Sequence, residues 1–288
     1  MVFTLLVSIA VSYAICRAMA TPTVDLTPSS APCLFPPEID WLILDQLQDD
    51  KVTLFSCTFV CSPWRLYSQT ILFRSLRICC PTGASFHQIV TFLEEDHVPQ
   101  SHIANSIWHL RLNGERDKAT YQEFPPSPEA VITIYALRRI LNSLPRLQSL
   151  SSKLLLLSSE IPSLSPPLES TPAPNPPRKE PLEFALLWCS SATGDLRDLF
   201  KVLSLFSELH RLKIDSGKWS KATIPPPGQD NEFLHGFPTV ECAELEGLGP
   251  RCIGLLFNQL RQSGRPGGRL TSLHFKPALR LDFEALNP

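Results

Sequence analysis

The sequence predicts a mixed α+β chain, with a small three-helix module followed by an irregular series of helix–strand units. Three observations carry this. Between residues 38 and 72 apolar residues recur at helical spacing three times in succession. Beyond residue 80 the pattern apolar-x-x-Leu-x-apolar returns at several points, usually behind a helical stretch. Proline makes up 28 of 288 residues but clusters, with eight between Pro162 and Pro181, so it marks insertions and does not depress helix throughout. A length of 288 residues suggests about two domains. The net charge of −2 excludes a strongly basic nucleic-acid binder, and a 43% hydrophobic content allows a core.

Taken in order, residues 1–20 form an apolar leader. Residues 2–16 are almost continuously apolar, and Ala18-Met19-Ala20 has the small-x-small form of a signal-peptidase site. The stretch is shorter than the ~20 residues of a membrane span and has no basic residue before it. It reads as a signal-like segment or as a mis-assigned start, and the first alternative implies a secretory or membrane-tethered interaction protein. Residues 21–33 are a proline-punctuated linker. In the first helix Ile39, Leu42, Ile43, Leu44 and Leu47 follow Pro36 and Pro37, which suit a helix entrance. Asp49 or Asp50 is expected to cap a second helix carrying Leu54, Cys57 and Val60/Cys61 on one side. Ser62-Pro63 reads as N-cap and first-turn proline of a third, through Trp64, Tyr67 and Ile71/Leu72. About 40 residues bury too little surface to stand comfortably alone. The module is expected to lean on a partner.

The second region, residues 79–288, is read as a leucine-rich-repeat-like solenoid. Its signature occurs at Ile107/Leu110/Leu112, Leu209/Leu212/Ile214 and Leu270/Leu273/Phe275, with a degenerate copy at Leu147/Leu150/Ser152. Helical character precedes the last three, over 136–144, 196–206 and 252–260. A helix and short strand in recurrence is the unit of a solenoid, which offers an extended binding surface. Proline-rich insertions stretch the intervals, above all at 158–181, expected to be exposed between units. The chain stops at Leu286-Asn287-Pro288 without a polar cap, so a truncated reading frame is one reading of its end.

No catalytic constellation emerges. There is no Gly-x-Ser-x-Gly elbow, phosphate-binding Gly-x-x-x-x-Gly-Lys, His-Glu-x-x-His or Gly-x-Gly-x-x-Gly. The nine cysteines include no Cys-x-x-Cys pair. Cys57 and Cys61, four apart on a predicted helix, would need further ligands such as Cys79, Cys80 or His87 to hold zinc, and small buried thiols are the simpler reading. Scattered thiols fit a reducing compartment, cytoplasmic or nuclear. His109 and His210 lie within Leu-x-x-Leu strands and are expected to face outward. The expectation is a non-enzyme, with no catalytic residue, no cofactor, no metal, no nucleic acid and no membrane.

The helical module resembles an F-box. Phe35-Pro36-Pro37-Glu38-Ile39 is similar to the usual Leu-Pro-x-Glu-Ile opening and Ile43-Leu44-x-x-Leu47 to the Ile-Leu-x-x-Leu that follows. Val60-Cys61-Ser62-Pro63-Trp64 matches Val-Cys-x-x-Trp, and Leu72-Phe73-Arg74-Ser75-Leu76 the usual exit. Phe35 replaces the usual leucine, and Asp40-Trp41 an aliphatic and a polar residue. The resemblance covers residues 34–78 and, with its proline-rich inserts and irregular leucine-rich tail, looks like the expanded F-box families of mushroom-forming fungi. It implies that Phe35, Pro36, Pro37, Ile39, Ile43, Leu44, Leu47, Leu54, Val60, Trp64 and Leu72 serve docking of a Skp-type adaptor. Through that adaptor the chain would join a cullin ubiquitin ligase, while the C-terminal region recruits a protein substrate for degradation. If Ile39, Ile43 and Leu47 face the core, Leu44 faces outward toward the adaptor.

Overall fold

The computed structural model describes residues 36–79, 86–93 in part, 102–114, 130–159, 182–215, 237–263 and 270–276. The leader, the linker, Phe35, Cys80, His87 and residues 160–181 of the proline-rich insertion lie outside them. The chain divides into two compact units: of the described residues, 36–74 belong to the first and those from Ser75 onward to the second.

The first unit holds α1 (Pro37–Gln46), α2 (Lys51–Cys57) and α3 (Ser62–Phe73). Proline opens α1, where its missing N–H costs nothing. Asp50 caps α2, its carboxylate accepting from the Thr53 amide at 3.1 Å and the Thr53 hydroxyl at 2.6 Å. The second helix stops at Cys57, so Val60 and Cys61 do not share its face as expected. Cys61, in extended backbone, is instead the N-cap of α3, with Ser62 and Pro63 in the first turn. Leu44, Leu54 and Cys57 form the core, and Leu47, Trp64, Tyr67, Ile71 and Leu72 pack around them.

The second unit is mixed α/β. Its seven-stranded parallel sheet contains β1 (Ser75–Cys79), β2 (His109–Asn113), β4 (Ser149–Lys153), β6 (Leu182–Leu187), β8 (Glu208–Asp215), β9 (Thr239–Glu246) and β10 (Ser272–Lys276), side by side in that order. A smaller parallel sheet joins β3 (Val131–Thr133), β5 (Leu156–Ser158) and β7 (Ser190–Ser191). Helices α4 (His102–Ser106), α5 (Ile134–Ser143), α6 (Leu196–Leu203) and α7 (Pro250–Ser263) precede β2, β4, β8 and β10. Thr133 caps α5 by accepting from the Ala136 amide at 3.1 Å, and Asp195 caps α6 by accepting from Arg197 at 2.9 Å. Each then buries one stripe, Leu137, Ile140 and Leu141 in α5, Leu196, Leu199, Val202 and Leu203 in α6.

Register explains the sequence pattern. The middle apolar slot aligns Leu76, Leu110, Leu150, Phe184, Leu212, Ala243 and Leu273 across the sheet, and the last slot aligns Ile78, Leu112, Ser152, Leu186, Ile214, Leu245 and Phe275. From β2 to β9 both rows are buried. Strand residues between them point to the opposite, polar face. The residue after β2, β4, β6 and β9 extends the ladder one step: the Gly114 amide donates to the Lys153 carbonyl, Leu154 to Leu187, Trp188 to Asp215 and Gly247 to Lys276.

Candidate functional site

The helical unit keeps its apolar residues in two stripes. On α1 the buried stripe is Asp40 and Leu44, with Leu47 half-buried just beyond. The adjoining stripe, Ile39, Leu42 and Ile43 at i, i+3 and i+4, is exposed, Leu42 by 59%. This reverses the expected phase: Leu44 is core, and Ile39 and Ile43 face solvent. The reason is that six apolar positions in nine residues, Trp41 among them, exceed one stripe, and α2 and α3 cover the side that includes Leu44. Phe59 and Val60, in the turn after α2, are about two-thirds exposed. Pro36 and Pro37 are exposed, Leu54 is core, and Trp64 and Leu72 are half-buried against the core.

Sequence reasoning missed Trp41 and Leu42 on this surface. Trp41, 44% exposed, stacks on Tyr67 with ring centroids 5.6 Å apart. The Tyr67 hydroxyl donates to Asp45 at 3.1 Å, tying α3 back to α1 and holding the indole in place. Burial, then the Asp45 contact, raises the Tyr67 phenol above its ordinary range. The Thr53 hydrogen bonds hold Asp50 below the ordinary carboxylate range. The cap is therefore strongest when Asp50 is ionised and weakens as pH falls through its lowered value.

On the polar face of the sheet, charge is distributed unevenly. Between β8, β9 and β10 Arg211 and Lys213 meet Glu244 and Lys276 meets Glu246 at 3.8 Å, while the His210 ring nitrogen lies 2.6 Å from the Glu241 carboxylate. Arg211 holds the Glu244 carboxyl below its ordinary range. A shallow pocket of about 210 Å³ lies here, lined by Lys213, Glu244, Glu246, His274 and Lys276. At the other end Arg77 and Arg111 stand side by side in register on β1 and β2, with Ser149 and Ser151 on β4 beyond them. His210 faces outward as expected; His109 is half-covered.

Among the described residues no group of three His, Cys, Asp or Glu side chains is placed to hold a metal. Cys57 and Cys61 lie on different elements, and burial raises the Cys57 thiol. Burial pushes Cys252 up to about 12, so it carries almost no thiolate near neutral pH. Among the described residues, no helix is long and apolar enough to cross a membrane. The chain matches no protein-family model, no curated protein and no solved structure.

Proposed function

We propose that this chain is a substrate-recruiting adaptor of an SCF-type cullin ubiquitin ligase. In this reading the helical unit is an F-box that docks a Skp-type adaptor, and the second unit is a leucine-rich-repeat-like solenoid that binds the protein to be ubiquitinated. The observation that carries it is the exposed stripe Ile39, Leu42 and Ile43, with Val60 on the turn after α2, on a unit whose buried apolar core among the described residues is Leu44, Leu54 and Cys57. Burying such a stripe in a groove between a partner's helices supplies association energy and covers apolar surface that water otherwise meets. Proline at the entrance of α1, Cys61 at the α3 cap and Trp64 in the first turn of α3 also suit the F-box pattern. The parallel sheet fits the second role, because its polar face runs across seven strands. Ligase chemistry would reside in other subunits, in the cytoplasm or nucleus.

Co-expression of the full chain with a Skp-type adaptor tests this. The reading expects the two to co-elute as a stoichiometric complex. It also expects Leu42→Asp to abolish the complex while leaving the melting temperature unchanged, since Leu42 contributes little to the core. A wild-type chain that elutes alone would overturn it.

A further inference from the structure

We infer that Trp41 is an added anchor of the surface that docks the Skp-type adaptor, and that Tyr67 and Asp45 are positioning residues that hold its indole ready for that partner. The inference deepens the reading of the helical unit given above and rests on it for the identity of the partner. Two observations support it.

The first is placement. At about 3.6 residues per turn, Leu42 lies opposite the buried stripe of Asp40 and Leu44, with Ile39 and Ile43 on one side of it and Trp41 on the other. All four are exposed, Trp41 by 44%. Trp41 is not among the residues that pack around Leu44, Leu54 and Cys57. Its indole therefore extends the apolar stripe round α1 and adds little to the core. F-boxes usually carry a polar residue at this position, so the tryptophan is a feature of this chain. Tryptophan is the residue type that most often anchors an interface, since its ring hides a large area with only two rotatable bonds.

The second is fixation. The Trp41 and Tyr67 rings stack with centroids 5.6 Å apart and planes inclined by 18°. Asp45 follows Trp41 by one turn on the same side of α1, and its carboxylate accepts the Tyr67 hydroxyl at 3.1 Å. Tyr67 itself packs on the core, so the fold holds this platform still. An exposed side chain that rotates freely must be ordered when a partner covers it, at a cost in affinity. A stacked indole is ordered beforehand. Trp41 thus touches the partner, whereas Tyr67 and Asp45 act through Trp41. A stack that served the fold alone would make Trp41→Ala destabilising and leave the complex intact.

Calorimetric titration of the full chain with a purified Skp-type adaptor tests this, with melting temperatures measured on the same samples. Trp41→Ala is expected to weaken binding by about tenfold or more, as loss of an interface anchor does, with little change in melting temperature. Tyr67→Phe and Asp45→Ala keep the stack but break the hydrogen bond, and each is expected to weaken binding by about threefold. Asp45→Asn still accepts the hydroxyl proton and is expected to bind like wild type. In the Trp41→Ala background, Tyr67→Phe is expected to have no further effect, because it acts through the indole. Where Trp41→Ala fails to fold, Trp41→Phe keeps a stacked ring and is expected to bind about threefold weaker through its smaller area. Wild-type affinity in the folded Trp41 variant overturns the anchor, and a Tyr67→Phe effect that persists without the indole overturns the positioning role. Either result, with a wild-type chain that binds the adaptor, sinks this inference alone. A wild-type chain that binds no adaptor sinks the F-box reading and this inference with it.

Discussion

Replacing Leu44 by alanine removes three carbons from the centre of the helical unit, where the side chain is fully buried against Leu54 and Cys57. At ~0.8 kcal/mol per buried methylene, lost transfer energy alone comes to about 2.4 kcal/mol. The residual cavity adds about 1–2 kcal/mol, as in Leu→Ala series of other proteins. A core of this size rarely provides more than about 3–5 kcal/mol, so the variant should leave the unit close to half unfolded. Leu42→Ala, two positions away on the 59% exposed stripe, should cost less than about 0.5 kcal/mol. Hydrogen exchange followed by mass spectrometry on peptides from 37–73 reads this unit separately from the sheet. Amides of α1 to α3 should lose nearly all protection in Leu44→Ala and keep it in Leu42→Ala. Equal protection in the two variants, or greater loss in Leu42→Ala, would refute the assignment of stripes.

Two further outcomes follow from buried polar groups. The Asp198 carboxylate, 1% exposed, accepts from the Ser159 amide at 2.9 Å, the Ser191 hydroxyl and the Thr193 hydroxyl at 3.1 Å. Asp198→Ala leaves buried donors unpaired and should cost about 2–4 kcal/mol in urea unfolding, Asp198→Asn roughly half of that; an alanine variant within error of wild type would contradict the network. Cys252 has its thiol raised by burial from an ordinary value near 9 to about 12. The folded state therefore holds its proton where the unfolded state releases it, and stability should fall between those values by at most about 1.4 kcal/mol per pH unit. Urea melts of wild type and Cys252→Ala over pH 8–11 should diverge in slope, and parallel curves would contradict it.

Much of the parallel sheet was legible because parallel strands with one buried face repeat their apolar slots. The strands at Leu110, Leu150, Leu212 and Leu273 all lie where apolar-x-x-Leu-x-apolar places them, each behind a helix. The rest was hidden for identifiable reasons. In β1 the same pattern, Phe73-x-x-Leu76-x-Ile78, overlaps the end of α3 and reads as a helix exit. In β9 Ala243 fills the leucine slot, small enough to pack but invisible to a leucine pattern. In β6 a register shift after Leu182 shortens the spacing to Leu182-x-Phe184-x-Leu186. Of the helical unit, element order and a cap at Asp49 or Asp50 were readable, but the phase of α1 was not. Ile39, Leu42, Ile43, Leu44 and Leu47 satisfy two different stripes, and only the positions of α2 and α3 decide between them. The left-handed turns at Leu154 and Trp188 carry no sequence signal, because neither residue favours that conformation.

Hydrogen exchange of the full chain with and without a Skp-type adaptor tests the central claim most directly, because it locates the interface as well as detecting it. The account predicts new protection on peptides covering 36–46 and 58–66, where Ile39, Leu42, Ile43 and Val60 lie, with the sheet strands unchanged. Protection confined to the sheet strands, or none anywhere at saturating adaptor, would contradict it.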